Sequence, residues 1–158
     1  MHKVKPILLI GEALGESELR LSNQAPLCGP SGAELIRMLG ESGIIQLTAF
    51  DRDYIHQYYT RSDPTFIDAI WNLHPEVHRT NTFNLHPPRN DIEFLCGPKA
   101  TALPGYPALI KSKFLRAEFE PELDRLANEI LNLDPNLIVC LGNTPLWALT
   151  AKTGISKI

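Results

Sequence analysis

The chain is patterned as short apolar runs that stop at glycine or proline, separated by amphipathic stretches. The first run, Ile7, Leu8, Leu9 and Ile10, lies between Pro6 and Gly11. Four consecutive aliphatics bounded in this way predict a strand covered on both faces, as in a parallel sheet. The run Leu137, Ile138, Val139, Cys140 and Leu141 before Gly142 predicts a second strand of this kind, with Cys140 as a small core residue. Between them, residues 79–85 are rich in β-branched and aromatic side chains and predict a third.

Helical spacing fills the gaps. Ser31, Gly32, Ala33 and Glu34 have the spacing of a capping box, followed by Leu35, Ile36, Met38 and Leu39 at helical intervals and Gly40 and Gly43 as a stop. Asp63 and Pro64 mark the start of a helix over 65–73. Asn90 is placed to cap a short helix containing Ile92, Phe94 and Leu95, whereas Gly97, Pro98, Pro104 and Gly105 predict a loop. A long helix is expected over 117–133, its core face formed by Leu123, Leu126, Ala127, Ile130 and Leu131. Thr144 can cap a final helix, with Pro145 in its first turn and Leu146, Trp147 and Leu149 beyond. This order predicts an α/β fold, a three-layer α/β/α sandwich with a central parallel sheet and a helical insertion at about 45–78. Three strands make a thin sheet. The expectation is therefore a single domain over 1–158, C-terminally incomplete and lacking its last strand, with an exposed edge that self-association could cover.

Composition narrows the function classes. No apolar run approaches the roughly 20 residues needed to cross a bilayer, and Met1 to Lys5 lead into the first strand without the features of a signal peptide, so a cytoplasmic protein with no membrane contact is expected. Cys28, Cys96 and Cys140 are widely spaced and form no Cys-x-x-Cys pair, which argues against a disulfide framework or a zinc ribbon. The net charge of −3 is mild, so contact with nucleic acid requires a locally basic face. Lys99 in the 97–105 loop faces phosphate or, more simply, solvent, and Lys111, Lys113 and Arg116 form a small basic group ahead of the long helix.

Three stretches carry candidate chemistry. The first strand ends at Gly11, Glu12, Ala13, Leu14 and Gly15, with Glu16 and Glu18 just beyond. Gly11 and Gly15 permit close approach of the backbone to a ligand and Glu12 supplies a carboxylate, although strand-to-loop turns also use these residues for conformational reasons alone. The turn Pro26-Leu27-Cys28-Gly29-Pro30 delivers the N-terminus of the next helix, whose free N–H groups could face an anion or a base carbonyl, with capping as the plain alternative. Asn81 offers a donor and an acceptor in one plane, as a nucleobase edge requires, unless it is a turn-forming asparagine. His74 and His78 are four apart, but Pro75 between them disfavours a helix presenting both to a metal.

Taken together, these segments resemble the uracil-DNA glycosylase superfamily, in particular the bacterial and phage members related to the iron–sulfur glycosylases of thermophiles. Gly11-Glu12-Ala13-Leu14-Gly15 followed by acidic residues is similar to the family's Gly-Glu-Ala-Pro-Gly motif, and Pro26-Leu27-Cys28-Gly29-Pro30-Ser31-Gly32 to its Pro-Phe-Val-Gly-x-Ser-Gly turn. Thr80 and Asn81 through Pro87, Pro88, Arg89 and Asn90 resemble the family's second strand and Pro-Pro loop, and Pro135 to Ala148 its Pro-x-Val-Val-x-Leu-Gly-x-Thr-Ala strand and helix. The resemblance implies hydrolysis of the N-glycosidic bond of uracil, or a related deaminated base, in DNA after the nucleotide is flipped out of the stack, as in base excision repair. By that analogy Glu12 and Ala13 are catalytic. Gly11, Gly15, Glu18, Leu27 and Asn81 contact the substrate, with Leu27 in the place of the aromatic that stacks on uracil and Asn81 reading the base edge.

Departures from the family pattern modify what it implies. Leu14 replaces proline and Leu27 replaces phenylalanine, so uracil binding should be weakened. The cluster cysteines are missing, Asn84 and Leu85 standing where that subgroup has Lys-Cys, so no iron–sulfur cluster, metal or other cofactor is expected. The His-Pro-Ser-type loop that grips the leaving base would lie beyond Ile158, and His86-Pro87-Pro88 belongs to a different loop. Two alternatives follow: a catalytically weak or inactive module binding nucleobases or uracil-containing DNA, and an α/β nucleotide- or phosphate-binding protein. The second lacks both common glycine-rich phosphate motifs.

Overall fold

The central element of the computed structural model, which describes residues 6–152, is β1 (Ile7–Ala13), and the sheet is built outward from it. The readings of Met1 to Lys5 as a direct lead into β1 and of the end at Ile158 lie outside the described residues. After β1 come α1 (Glu16–Leu19), α2 (Pro30–Glu41), α3 (Ala49–Arg61) and α4 (Thr65–Leu73), then β2 (Val77–Phe83). A two-stranded antiparallel ribbon, β3 (Cys96–Gly97) with β4 (Phe114–Leu115), precedes α5 (Glu120–Leu133), β5 (Leu137–Cys140) and α6 (Asn143–Thr150). The main sheet has the order β2-β1-β5 and is parallel throughout.

Alternation along β1 creates the layers. Leu9 packs with Ile36, Ile67, Ile70 and Trp71 from α2 and α4, while Leu8 and Ile10 face the opposite way onto Leu126 of α5. All three β1 side chains are at most 2% exposed, and burying each stabilises the fold by about 2 kcal/mol. Both faces of the strand are covered, which is why its sequence is a run of aliphatics and not an alternation. At the C-terminal end of the sheet, Phe83, Leu115, Leu123 and Trp147 form a second packed group.

Local departures from the sequence reading have identifiable causes. β1 does not stop at Gly11 but continues to Ala13, because Gly11 and Ala13 pair with Asn81 and Phe83 of β2. β2 begins at Val77, two residues earlier than expected, so His78 belongs to the sheet. Ser31 forms no cap: Gly29 is the N-cap of α2 and Pro30 opens the first turn. Asn90 lies at φ +56, and Asp91 caps the following turn through the Glu93 N–H instead. Residues 117–119 form a separate short turn before Pro121 opens α5. On α5, Leu131 is 75% exposed and Ala127 faces solvent, leaving Leu123, Leu126 and Ile130 as the packed face. Cys140 is only half-buried, as are Ile138 and Val139 beside it on β5, and so is not the core residue expected. No helix among the described residues is long and apolar enough to cross a membrane.

The topology also opens a crevice. The chain leaves β1 for β2 on one side and then passes by α5 to β5 on the other, so the strand order reverses at β1. Pairing of β1 with β2 runs to Ala13, but pairing with β5 ends at Ile10 and Cys140, closed by the Leu141 N–H on the Ile10 carbonyl at 2.9 Å. Beyond Ile10 the two strands part. Ligands of open α/β sheets bind outside the carboxyl ends of the strands at such a point.

Candidate functional site

A cleft of about 710 Å³ fills this parting. Gly11, Glu12 and Ala13 of β1 and Asn81 of β2 form its base, the segment containing Leu27, Gly29 and Ser31 forms one wall, and Leu141 with Gly142 forms the other. Gly15 and Glu18 close the remaining side. The structure thus brings all seven residues singled out from the sequence, namely Gly11, Glu12, Ala13, Gly15, Glu18, Leu27 and Asn81, into one cavity.

Asn81 is 1% exposed, and its Nδ2 has no hydrogen-bond partner among the described residues. Its other amide atom, Oδ1, packs against Gly11, where a Cβ would lie 2.5 Å from that oxygen. Gly11 is therefore required by the close approach of the Asn81 amide. The backbone beneath is fixed from α5: Arg125 Nη2 donates to the carbonyls of Asn81 and Thr82 at 2.8 and 2.9 Å. From the other side, Thr82 Oγ1 donates to the Gly11 carbonyl at 3.0 Å. A buried amide with an unused donor costs free energy, and only a strongly held backbone keeps it there.

The Leu27 turn is built with equal constraint. Leu27 has a left-handed backbone, φ +58, and its carbonyl accepts the Trp71 indole N–H at 2.8 Å. A Cβ at Gly32 would fall 1.7 Å from that same carbonyl oxygen. Behind the turn, Arg79 donates to the Pro26 carbonyl at 2.5 Å and to Cys28 Sγ at 2.9 Å, and pairs with Asp68. Burial pushes the Cys28 thiol up to about 12 despite the nearby Arg79. Cys28 is thus a packed structural thiol, not a nucleophile.

Glu18 is 8% exposed and links two segments. One oxygen accepts the Gly15 N–H at 3.0 Å and the other the Cys28 N–H at 3.1 Å, tying the loop after β1 to the Leu27 turn. A Cβ on Gly15 would come within 2.9 Å of this carboxylate. Leu14, the departure from the motif's proline, donates its N–H to the Leu85 carbonyl at 3.0 Å, a bond that proline could not make. His86 Nδ1 lies 2.7 Å from the Leu14 carbonyl and holds the same loop from above. Glu12 Oε2 accepts the Thr144 hydroxyl.

Other candidates resolve into structural roles. His74 is buried with Nε2 2.9 Å from Asp51, whose carboxylate also accepts the N–H of Thr48, the N-cap of α3. Lys111 and Lys113 both pair with Glu93, and Arg116 with Glu118. Burial raises the Cys96 thiol to about 11, and among the described residues no cluster of three His, Cys, Asp or Glu side chains is arranged to hold a metal. Thr144, Arg125 and Arg79 are contributors that local sequence patterns did not single out for the site. Each acts through a bond spanning tens of residues, for which spacing gives no signal.

No curated protein and no solved structure gives a significant match to the chain. The family model described as the uracil DNA glycosylase superfamily matches residues 3–156. That span takes in the central sheet and every wall of the cleft, and on it the chain belongs to the uracil DNA glycosylase superfamily.

Proposed function

We propose that the chain hydrolyses the N-glycosidic bond of uracil, or of a related deaminated base, in DNA. The carrying observation is the buried Asn81 amide, whose Nδ2 has no acceptor among the described residues although the residue lines the cleft. A flipped base supplies the missing acceptor through a ring carbonyl, and the amide oxygen beside the donor suits an adjacent ring N–H. This pairing discriminates a uracil-like edge from an amino-substituted one.

In this reading the C1′–N bond breaks with its electron pair leaving on the base, water adds to C1′, and the proton that water sheds passes by way of Glu12 or solvent to the released base anion. Negative charge then develops on the base oxygens while the sugar becomes oxocarbenium-like. Donors fixed before the reaction stabilise that anion at little reorganisation cost, which is electrostatic preorganisation. Asn81 Nδ2 is one such donor. The first-turn N–H groups of α2, at the Gly29 to Ser31 rim, add the favourable end of a helix dipole. Glu12 is the carboxylate at the cleft base suited to orient the water and balance positive charge on the sugar.

The test is uracil release from single-stranded and duplex oligonucleotides. Wild-type protein is expected to release base, and Asn81→Ala to be slower by about 100-fold, the scale of losing one preorganised donor. Glu12→Gln should also be slow. Equal rates for wild type and both variants would remove these residues from the reaction. A second reading rests on Leu27, which presents no aromatic face and forfeits about 1–3 kcal/mol of stacking per base: a module that binds uracil-containing DNA without cleaving it. Salt-dependent binding with no base release would favour that reading.

A further inference from the structure

We infer that Thr144 is a positioning residue for the Glu12 carboxylate, an inference that rests on the glycosylase reading for its catalytic meaning. Thr144 is 3% exposed and is the second residue of α6, so it is not the cap expected from the sequence, a place taken by Gly142. Instead its hydroxyl donates to Glu12 Oε2 at 2.5 Å across 132 residues of sequence. A hydroxyl donating to a carboxylate makes a charge-assisted bond, stronger than one between neutral groups.

The turn before α6 is shaped for this contact. Gly142 is the N-cap at φ +97 and ψ −172, a conformation essentially restricted to glycine, and it has open space where a Cβ would stand. Glycine is needed there for backbone direction, which sets the first turn of α6 beside Glu12. The helix is then anchored at its far side: Trp147 is fully buried and its indole N–H donates to the Pro107 carbonyl at 3.0 Å. The donor therefore sits on a fixed element, while Glu12 projects from the part of β1 that β5 no longer pairs.

One carboxylate oxygen is committed to Thr144, and Oε1 is left as the oxygen for water or sugar in the cleft that Glu12 lines. Without the hydroxyl, the carboxylate regains rotational freedom and spends less time in one orientation. Misplacing a reacting group by about 1 Å can cost about 100-fold in rate, so a loss of this order is the upper bound.

The experiment uses the whole chain in two arms. In the kinetic arm, Thr144→Val is expected to lower kcat for uracil release by about tenfold with KM little changed, and Thr144→Ser, which keeps the hydroxyl, to recover most of it. Adding Thr144→Val to Glu12→Ala should cost nothing further, because the group it orients is gone. In the second arm, glutamate labelled with carbon-13 at Cδ is followed by NMR, the Glu12 signal being identified by its loss in Glu12→Gln. That signal should move in Thr144→Val and stay in place in Thr144→Ser. An unmoved Glu12 signal in Thr144→Val, or a full further loss on Glu12→Ala, overturns the inference. Absence of uracil release by the wild type overturns the glycosylase reading instead, and the NMR signal then decides the positioning by itself.

Discussion

The two flanks of β1 are constructed in different ways. On the β2 side the ladder runs through Ala13 and Phe83, and the strand ends are reinforced by Arg79, Arg125, Thr80 and Thr82. On the β5 side pairing ends at Ile10, the strand is half-exposed, and past that point Thr144 provides the side-chain bond to β1. The lesson concerns division of labour. The flank that presents the Asn81 amide is held by many independent bonds and can keep an unpaired buried donor in place, whereas the flank that parts from β1 provides room for a ligand.

Substitutions can break this contrast in graded steps. The largest effect on stability is expected for Arg79→Leu, which leaves Asp68 without its partner and frees the Leu27 turn. Removing one member of a largely buried pair costs about 3 kcal/mol, to be measured by urea denaturation. Arg125→Met comes next. Losing charge-assisted bonds to the Asn81 and Thr82 carbonyls should cost about 2 kcal/mol and also weaken base release. A smaller effect is expected from pH. The Cys28 thiol is raised from 9.0 to about 12 in the folded chain, so its contribution is complete below pH 9 and is lost as pH rises from there toward 12. In Cys28→Ala the fall in stability across that alkaline window should be shallower than in wild type, a comparison of slopes and not of absolute values. The smallest effect belongs to the open flank: Leu137→Lys, at a position 50% exposed, should change stability by no more than about 0.5 kcal/mol. A large loss there would mean that β5 is as strongly held as β2, and the contrast would fail.

Much of this arrangement was legible in the sequence where local physics decides it. The aliphatic run of β1 reports burial on both faces, and Asp63 with Pro64 announces α4 by fixing the first turn. The Gly11 to Gly15 stretch and the Leu27 turn stood out by their glycines and prolines, and Asn81 by its paired donor and acceptor, whereas the substrate roles of Leu27 and Glu18 came only from the family resemblance. What stayed hidden depends on distant partners. Glu18 is a substrate contact only by resemblance, and that its two oxygens bind the Gly15 and Cys28 N–H groups is beyond any local pattern. Ser31 has the spacing of a cap, yet Pro30 starts the helix before it. The β3–β4 ribbon has two residues per strand, too short for any alternation to register. Leu131 matches the helical period but lies on solvent, because period alone does not say how wide a packed face is.

The span between Glu12 and Thr144 has a consequence in time as well as in space. Residues 7–10 pair with 137–140, so the cleft gains its last wall only when segments about 130 positions apart have met. Contacts of such long range form late, since the entropy of closing the intervening chain must be met before the contact returns anything. During synthesis the α2 to α4 layer can collapse on β1 long before β5 leaves the ribosome. A chain interrupted at that stage would already own the Leu27 turn and Asn81, yet it would have no Thr144 to orient Glu12.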